Sequence, residues 1–291
     1  MEDKVDVTII IPSRNEKFLQ KTILDVLNKA TGNIEVLPVL DGYEPPADEI
    51  VIDPRVNYIR LPQNYYTQKR HGINYAVSIA KGDHIMSLDA HCMMAPGFDE
   101  VLKRDCQEDW IVIPRRHRLD AKNWTLQKQS DSRPPIDYEY TMYPLNFKFP
   151  SFHGYKWDAR TLERQDIMLD DTMIFQGSCW FMHKDWFKKM GFMQIEGYSG
   201  WGQEAEELSF TTWCMGGRVV TDKNTWYAHL HKGKEYGRMY FMDKNWVNKC
   251  DKFCYDFWTN NKLKDRIHDF EWIIDKFWPL PGWKTKYPWK L

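Results

Sequence analysis

The chain has 291 residues, a hydrophobic content of 43% and a formal net charge of −1, which suits one large domain or one domain with an appendage. The near-neutral charge gives no global electrostatic reason to expect a nucleic acid or an acidic partner. No apolar run approaches the ~20 residues of a membrane-spanning helix, and six scattered cysteines without a signal peptide lead us to expect reduced thiols and a cytoplasmic protein, in the host cytoplasm if the source is viral.

Strands and helices are predicted to alternate along the first third of the chain. In chain order the predicted elements are a strand at 5–11, a helix at 18–28, strands at 34–40 and 56–61, a helix at 68–80 and a strand at 85–88. This alternation predicts βαβ units and an α/β fold with a mostly parallel, doubly wound central sheet. The sequence has neither a Gly-x-Gly-x-x-Gly after the first strand nor a P-loop, which disfavours both kinds of glycine-rich phosphate site.

The strand predicted at 85–88 ends by presenting Asp89 and His91. Residues two apart on an extended chain point the same way, and open α/β sheets bind ligands at the carboxyl ends of their strands. A carboxylate with an imidazole suits Mn²⁺ or a similar divalent ion better than Ca²⁺. The alternative is structural: Asp89 caps the next turn and His91 is an ordinary loop residue.

Asp41 ends another predicted strand and is followed by glycine. Its carboxylate could hydrogen-bond a base or a ribose. An Asp-Gly turn without a ligand is an equally good interpretation. Because no glycine-rich loop is present to hold phosphates, a metal ion is the obvious substitute.

The middle of the chain is less regular. A strand predicted at 110–114 runs into a basic cluster formed by Arg115, Arg116, His117 and Arg118. Such a cluster could approach phosphates or an anionic acceptor, although it is commonly a solvated face. The stretch 122–156 mixes prolines with aromatic residues, and we interpret it as a long acceptor-side excursion with a β-hairpin.

A predicted helix follows a glycine-rich turn, and its first turn carries three acidic residues, Glu204, Glu206 and Glu207. Favourable pairing with the helix dipole is the structural explanation. Glu204 and Glu207 share a helix face, whereas Glu206 points elsewhere. Further on, His229 and His231 share one side of an extended segment.

The C-terminal part of the chain is basic and rich in tryptophan. From Trp226 onward it carries 13 basic and 8 acidic residues. Helical spacing at 239–257 and 263–277 predicts a helical extension, so we divide the chain into a domain at 1–235 and an extension at 236–291 packed on it. The segment 232–238 is predicted to be a mobile basic loop that folds over a diphosphate.

Four stretches, in order, resemble the nucleotide-sugar glycosyltransferases of the GT-A fold. This family-2-like resemblance is closest to the catalytic domain of polypeptide N-acetylgalactosaminyltransferases and spans roughly residues 5–235. The stretches are 7–16 with its Arg-Asn-Glu ending, 87–92 with Asp-x-His-Cys, 177–191, and 201–210 with the later Gly216-Gly217. The resemblance implies a Rossmann-like sheet flanked by helices.

The resemblance also implies a site and its ligands. Asp89, His91 and His229 would hold Mn²⁺ or Mg²⁺, with His231 as the substitute for His229, and a UDP-sugar would be the donor. Glu204 would join Asp89 in catalysis by contacting donor-sugar hydroxyls or the acceptor. Trp180 and Trp201 could stack on sugar faces, although packing in the core is an equally good interpretation of both. The residues expected to bind the nucleotide-sugar are Pro12, Ser13, Arg14, Glu16, Asp41, Arg70, Trp180, Lys232, Lys234 and Arg238.

We therefore expect a metal-dependent glycosyltransferase acting on a hydroxyl acceptor. The resemblance places Ala205 where inverting relatives of this fold have an aspartate that acts as the base. This favours retention of configuration, unless Glu204 or Glu206 takes the place of that base. The acceptor stays open among a hydroxymethylated base in phage DNA, a glycan and a protein. The alternatives are a nucleotidyltransferase that makes sugar nucleotides, which needs a glycine-rich triphosphate loop, and a catalytically silent nucleotide-sugar-binding module.

Overall fold

A computed structural model describes residues 4–62, 68–128, 134–198, 202–237 and 242–290. Two residues singled out from the sequence, Trp201 and Arg238, lie outside these ranges. None of the helices within the ranges is both long and apolar enough to cross a membrane.

The strands in the described part of the chain are β1 (Val7–Ser13), β2 (Ile34–Asp41), β3 (Ile59–Leu61), β4 (His84–Leu88), β5 (Cys92–Met94), β6 (Trp110–Asp120), β7 (Thr125–Leu126), β8 (Glu139–Thr141), β9 (Gly154–Lys156), β10 (Leu169–Asp171), β11 (Cys179–His183) and β12 (Arg218–His229). The α-helices are α1 (Leu19–Lys29), α2 (Gln68–Ile79), α3 (Phe98–Asp105), α4 (Asp158–Glu163), α5 (Lys184–Lys189), α6 (Glu204–Cys214), α7 (Gly233–Tyr236), α8 (Lys244–Thr259) and α9 (Phe270–Phe277).

One large sheet organises the molecule, with strands in the order β10-β12-β6-β11-β4-β1-β2-β3. The block β3-β2-β1-β4 is parallel, and β6 pairs with β12 in parallel. Strand β11 lies antiparallel to both β4 and β6, so it joins the two parallel blocks without reversing their common direction. The predicted fold class, a mostly parallel α/β sheet flanked by helices, is confirmed.

The central strands are buried on both faces, as their nearly continuous apolar sequences require. In β1, Ile9 and Ile11 pack in the cluster that includes α1, whereas Ile10 packs in the cluster on the opposite face. This period-2 alternation fixes the strand between two helical layers. Because β1 pairs in parallel with both β2 and β4, the carboxyl ends of these three strands lie side by side at one edge of the sheet.

Several predicted boundaries differ from the structure. The predicted strand at 110–114 continues to Asp120. The predicted extended segment with His229 and His231 is the end of a longer strand, β12, which stops at His229 and has a register shift between Asp222 and Trp226. The predicted hairpin region contains a small antiparallel pair, β8 and β9. The third strand is shorter than predicted because Val56 makes only an isolated bridge with Val36.

The C-terminal helices are held on α6 by aromatic side chains. Phe210 of α6 lies 5.4 Å from Trp258 and 4.8 Å from Phe270, ring centre to ring centre. The indole of Trp283 donates a hydrogen bond to the carbonyl of Thr141 at 2.8 Å. Each of the two edge-on ring pairs of Phe210 contributes roughly 0.5–1.5 kcal/mol of stability beyond the burial of its rings. Packing therefore accounts for much of the tryptophan in this segment, while the division into two domains at residue 235 stays a prediction.

Candidate metal and nucleotide site

Two strand ends bring Asp89, His91 and His229 together. Asp89 directly follows β4, and His229 ends β12, which runs in the same direction and so reaches the same edge of the sheet. Strand β5 completes the connection because it pairs with β12 so that Cys92 lies opposite His229. The backbone N–H of Leu230 also donates to the carbonyl of His91 at 3.1 Å.

Within the described residues, the three side chains form a group that could hold a metal ion, which we call the metal group. The Nε2 atoms of His91 and His229 are 3.1 Å apart, and Oδ2 of Asp89 lies 3.9 Å and 3.5 Å from them. A point equidistant from these three atoms is about 2.1 Å from each, which is the bond length that first-row divalent ions and Mg²⁺ make to nitrogen and oxygen. The residues therefore fit a divalent cation.

The electrostatics of the group also suit a cation. Burial lowers the pKa of His229 to about 3, so its imidazole is neutral at physiological pH. Burial alone would raise the pKa of Asp89, but Lys69 and the two histidines outweigh it and hold that pKa well below its usual range. Two imidazole nitrogens and one carboxylate thus face a common point, and a cation there would satisfy all three.

Lys69 is a site residue that the sequence analysis missed. Its Nζ lies 3.2 Å from Oδ1 of Asp89 and 3.3 Å from the carbonyl oxygen of Gly177. It therefore neutralises the carboxylate oxygen that does not face the histidines. The sequence analysis chose its neighbour Arg70 instead. One residue along a helix is a rotation of about 100°, and only the rotation of α2 in the fold shows which side chain faces the site.

The other residues expected to contact the nucleoside lie at the ends of β1 and β2. Pro12 and Ser13 end β1, and Arg14 follows with Nη1 3.6 Å from Oδ2 of Asp41. Burial raises the pKa of Asp41 to about 6, and Arg14 only partly opposes this shift. Oδ1 of Asp41 is buried without a hydrogen-bond partner in the part of the chain that the structure describes. A ribose hydroxyl or a base N–H would satisfy it.

Comparison with known proteins identifies the family. The family described as "Glycosyl transferase family 2" matches residues 8–191, which is more than half of the chain. The chain belongs to glycosyl transferase family 2. The match includes Asp41, Asp89 and His91, whereas Glu204 and His229 lie beyond it.

Individual relatives extend the similarity over most of the chain. Human polypeptide N-acetylgalactosaminyltransferase 10 is 22% identical over 325 residues, covering 97% of this chain and 51% of the relative. Human polypeptide N-acetylgalactosaminyltransferase 14 is 26% identical over 250 residues, covering 80% of this chain and 42% of the relative. This family 2 chain thus spans about half the length of the curated relatives it matches.

A solved structure shares the fold. The crystal structure of GalNAc-T7 with UDP, GalNAc and Mn²⁺ aligns with a TM-score of 0.67 at 16% identity, covering 95% of this chain and 57% of that one. At this identity the likeness shows the fold, and it agrees with the GT-A resemblance of the sequence.

Arg70 lies in the core of this family 2 domain. Its side chain is 1% exposed and forms a buried ion pair with Glu207. Its guanidinium also donates to the carbonyls of Gln194 and Gly202 at 3.3 Å and 3.2 Å and lies 4.2 Å from the ring centre of Tyr198. The expected contact of Arg70 with the nucleotide-sugar is corrected: the residue ties α2 to the start of α6.

Trp180 is likewise a core residue. It is 1% exposed and stacks on Phe187 with ring centres 5.8 Å apart. It lies on β11 in the middle of the sheet, so its indole cannot reach a sugar unless the core rearranges. The expected sugar contact is therefore corrected to core packing.

Glu16 and Lys232 meet at the metal group. Nζ of Lys232 lies 2.5 Å and 2.6 Å from the two carboxylate oxygens of Glu16. The segment after β12 was expected to be a mobile loop, but it contains the short helix α7, on which Lys234 is exposed. His231 is exposed, and its ring packs edge-on against His229 at 5.2 Å, outside the group of three ligands.

The three glutamates of α6 are all buried. Glu207 pairs with Arg70, and Oε1 of Glu206 accepts a hydrogen bond from the backbone N–H of Gly154 at 3.1 Å. Burial raises the pKa of Glu206 to about 7. Glu204 begins the helix and accepts a longer bond, at 3.4 Å, from the N–H of Gly202. Glu204 thus keeps the most hydrogen-bonding capacity of the three, within the contacts found in the described chain.

The basic cluster is not a free phosphate-binding face. Arg115 binds both carboxylate oxygens of Asp137, at 2.7 Å and 2.8 Å. Arg116 is buried and donates to Glu139 at 2.7 Å and to Gln176. These partners lie beyond the end of the predicted strand, so the sequence alone could not show that the charges are already matched.

Proposed function

We propose that this chain is a metal-dependent glycosyltransferase that moves a sugar from a UDP-sugar to a hydroxyl acceptor. The observation that carries the proposal is the convergence of Asp89, His91 and His229 on one cation-sized point. At the same edge of the sheet lies an oxygen of Asp41 that is buried and has no hydrogen-bond partner within the described residues. In a family 2 chain, Asp41 can bind the nucleoside of a nucleotide-sugar, while the metal group can hold a cation next to its diphosphate.

The roles of the residues follow from their positions. Asp41 and Arg14 would hold the base or ribose at the ends of β1 and β2. When bound, Mn²⁺ or Mg²⁺ would neutralise charge on the diphosphate leaving group. Lys69 keeps Asp89 ionised, and Lys232 supplies a further positive charge at the same edge of the sheet.

We propose that the transfer retains the anomeric configuration. Retention is supported by Ala205, which lies in the first turn of α6 and has no group that could accept a proton. A Cβ placed on Gly177 would lie 3.8 Å from the Cβ of Ala205, and the carbonyl of Gly177 contacts Lys69. The start of α6 is thus close to the metal group, and Glu204 would contact the donor-sugar hydroxyls there.

For the acceptor we propose a serine or threonine hydroxyl on a polypeptide. This choice is supported by the relatives, which are named as polypeptide N-acetylgalactosaminyltransferases. The alternative acceptor, a hydroxymethylated base in DNA, is favoured by the basic cluster and by the basic, tryptophan-rich C-terminal segment. The internal ion pairs of Arg115 and Arg116 weaken the first of these two arguments. A solved relative with UDP, GalNAc and Mn²⁺ makes UDP-GalNAc the first donor to test.

The test is release of UDP from UDP-GalNAc, UDP-GlcNAc and UDP-glucose, with and without a serine- and threonine-rich peptide, in Mn²⁺ or EDTA. We expect activity in Mn²⁺ only, and a loss of at least ~10²-fold in Asp89→Asn, which keeps the shape of the side chain. NMR of the product would then report the anomeric configuration. Activity that survives both EDTA and Asp89→Asn would overturn the proposal, and UDP binding without turnover of any donor would favour the silent binding module.

A further inference from the structure

The carboxylate of Glu16 is the nearest acidic group to His91 on the side away from the cation point. Its Oε2 lies 3.3 Å from Nδ1 of His91. The sequence places Glu16 among the residues expected to bind the nucleotide-sugar. We propose instead that Glu16 is a positioning residue of the metal site, which orients His91 and links the two histidine ligands. This inference rests on the proposed function because it assumes that the site binds a divalent cation.

Nδ1 of His91 is buried and makes no hydrogen bond within the described residues. The carboxylate of Glu16, 3.3 Å away, is the acceptor that a proton on Nδ1 would reach after a small rotation of the ring. A proton held there would select one tautomer and leave the lone pair of Nε2 directed at Asp89 and His229. A carboxylate behind a histidine ligand fixes the ring orientation and raises the basicity of the nitrogen that binds the metal. The side chain of Glu16 is 9% exposed, so water competes little for this contact.

Two N–H groups face the carboxylate of Glu16. Nζ of Lys232 lies 2.5 Å from Oε1, and Nδ1 of His91 lies 3.3 Å from Oε2. Glu16 therefore places a carboxylate directly behind His91, with Lys232 as its second partner.

The backbone holds Glu16 in this place. Asn15 adopts a left-handed conformation with φ 52°, which turns the chain sharply at the end of β1, and asparagine tolerates this region better than most residues. The N–H of Leu19 then donates to the carbonyl of Glu16 at 3.3 Å, and the backbone of Glu16 also hydrogen-bonds the hydroxyl of Tyr43. The carboxylate is thus positioned by both β1 and α1.

Glu16 also connects the two strands that supply the histidines. His91 follows β4, whereas Lys232 comes three residues after His229 at the end of β12. Since one carboxylate contacts both His91 and Lys232, it holds the ends of the two strands at a fixed separation. Removing its charge would loosen the distance between the two Nε2 atoms as well as the tautomer of His91.

The experiment measures Mn²⁺ binding by electron paramagnetic resonance, with Mn²⁺ alone and with Mn²⁺ plus UDP. Glu16→Gln keeps the size of the side chain and removes its charge, and we expect Mn²⁺ affinity to fall about 10- to 100-fold. Glu44→Gln is the matched control, since Glu44 is half-exposed and pairs with Arg60 away from the metal group.

A second readout needs no metal. Nitrogen-15 NMR of the histidine side chains should show His91 protonated on Nδ1 in wild type and in Glu44→Gln, with that preference lost in Glu16→Gln. If Glu16→Gln binds Mn²⁺ as wild type does and keeps the tautomer, the inference is wrong while the proposed function stands. If wild type binds no Mn²⁺ in either condition, the proposed function itself fails.

Discussion

Replacing Arg70 with methionine tests whether this arginine serves the fold or the ligand. Its guanidinium is buried against Glu207 and two backbone carbonyls. Removing one partner of a buried ion pair costs about 3–5 kcal/mol because it leaves an uncompensated charge. At roughly 2 °C per kcal/mol for a chain of this size, we expect Arg70→Met to lower Tm by roughly 6–10 °C.

Thermal unfolding of three variants would measure this effect. Arg60→Met is the matched control, because Arg60 binds Glu44 through two hydrogen bonds but both side chains are half-exposed, and such pairs contribute about 1 kcal/mol or less. The double variant Arg70→Met/Glu207→Leu should regain much of the lost stability, because it leaves no buried charge.

The pH dependence gives an independent check. Burial already raises the pKa of Glu207 more than Arg70 lowers it, and losing Arg70 would raise that pKa further. A carboxyl group with a raised pKa in the folded state loses stability as pH rises through that value. The deficit of Arg70→Met should therefore be larger at pH 8 than at pH 5. A variant with wild-type Tm but much weaker UDP binding would refute this reasoning and restore Arg70 as a donor contact.

Three further predictions follow from the site. Because burial raises the pKa of Asp41 to about 6, stability should fall as pH rises from about 4 through 6; Asp41→Asn should remove this loss in thermal scans at pH 7.5 while weakening UDP binding in calorimetry. His229→Ala should abolish Mn²⁺ binding and His231→Ala should retain it, and equal losses would contradict the assignment of ligands. Trp180→Ala should cost about 3–5 kcal/mol in urea unfolding with UDP affinity unchanged, whereas a selective loss of affinity would return Trp180 to the site.

The parts of the site that the sequence could predict are those set by local geometry. The strand before Asp89 is evident from its apolar residues, and Asp89 and His91 do converge. They converge because residues 89–91 form the turn that reverses the chain between β4 and β5, not because they lie two apart on an extended chain. The placement of His229 came from the family resemblance, and the direction of β12 explains why it reaches the same edge. The roles of these residues as ligands stay predictions until metal binding is measured.

The parts that sequence reasoning missed depend on partners distant in the chain. Lys69 and Arg70 are adjacent basic residues, and the sequence alone does not show which of them faces the metal group. The orientation of α2 in the fold directs Lys69 toward Asp89 and Arg70 into the core. Arg116 looked like a solvated charge because Glu139, which neutralises it, lies on another strand. Glu16 was expected at the nucleotide because nothing local shows that its carboxylate faces His91.

The charges around the metal group imply that metal and nucleotide bind cooperatively. Glu16 and Asp89 are negative, and Lys232 and Lys69, at 2.5 Å and 3.2 Å, balance them. Because burial keeps His229 neutral, the ligand-free site is near electrical neutrality. A divalent cation alone would therefore leave an excess of positive charge in a largely buried place.

A diphosphate, with a negative charge on each phosphate, removes that excess. We expect saturating UDP to strengthen Mn²⁺ binding about 5- to 150-fold, the usual range for coupling of 1–3 kcal/mol. Since linkage is reciprocal, saturating Mn²⁺ must strengthen UDP binding by the same factor. Calorimetric titration of each ligand with and without the other measures both factors. Mn²⁺ binding that is indifferent to UDP would show that the cation and the diphosphate do not share this site.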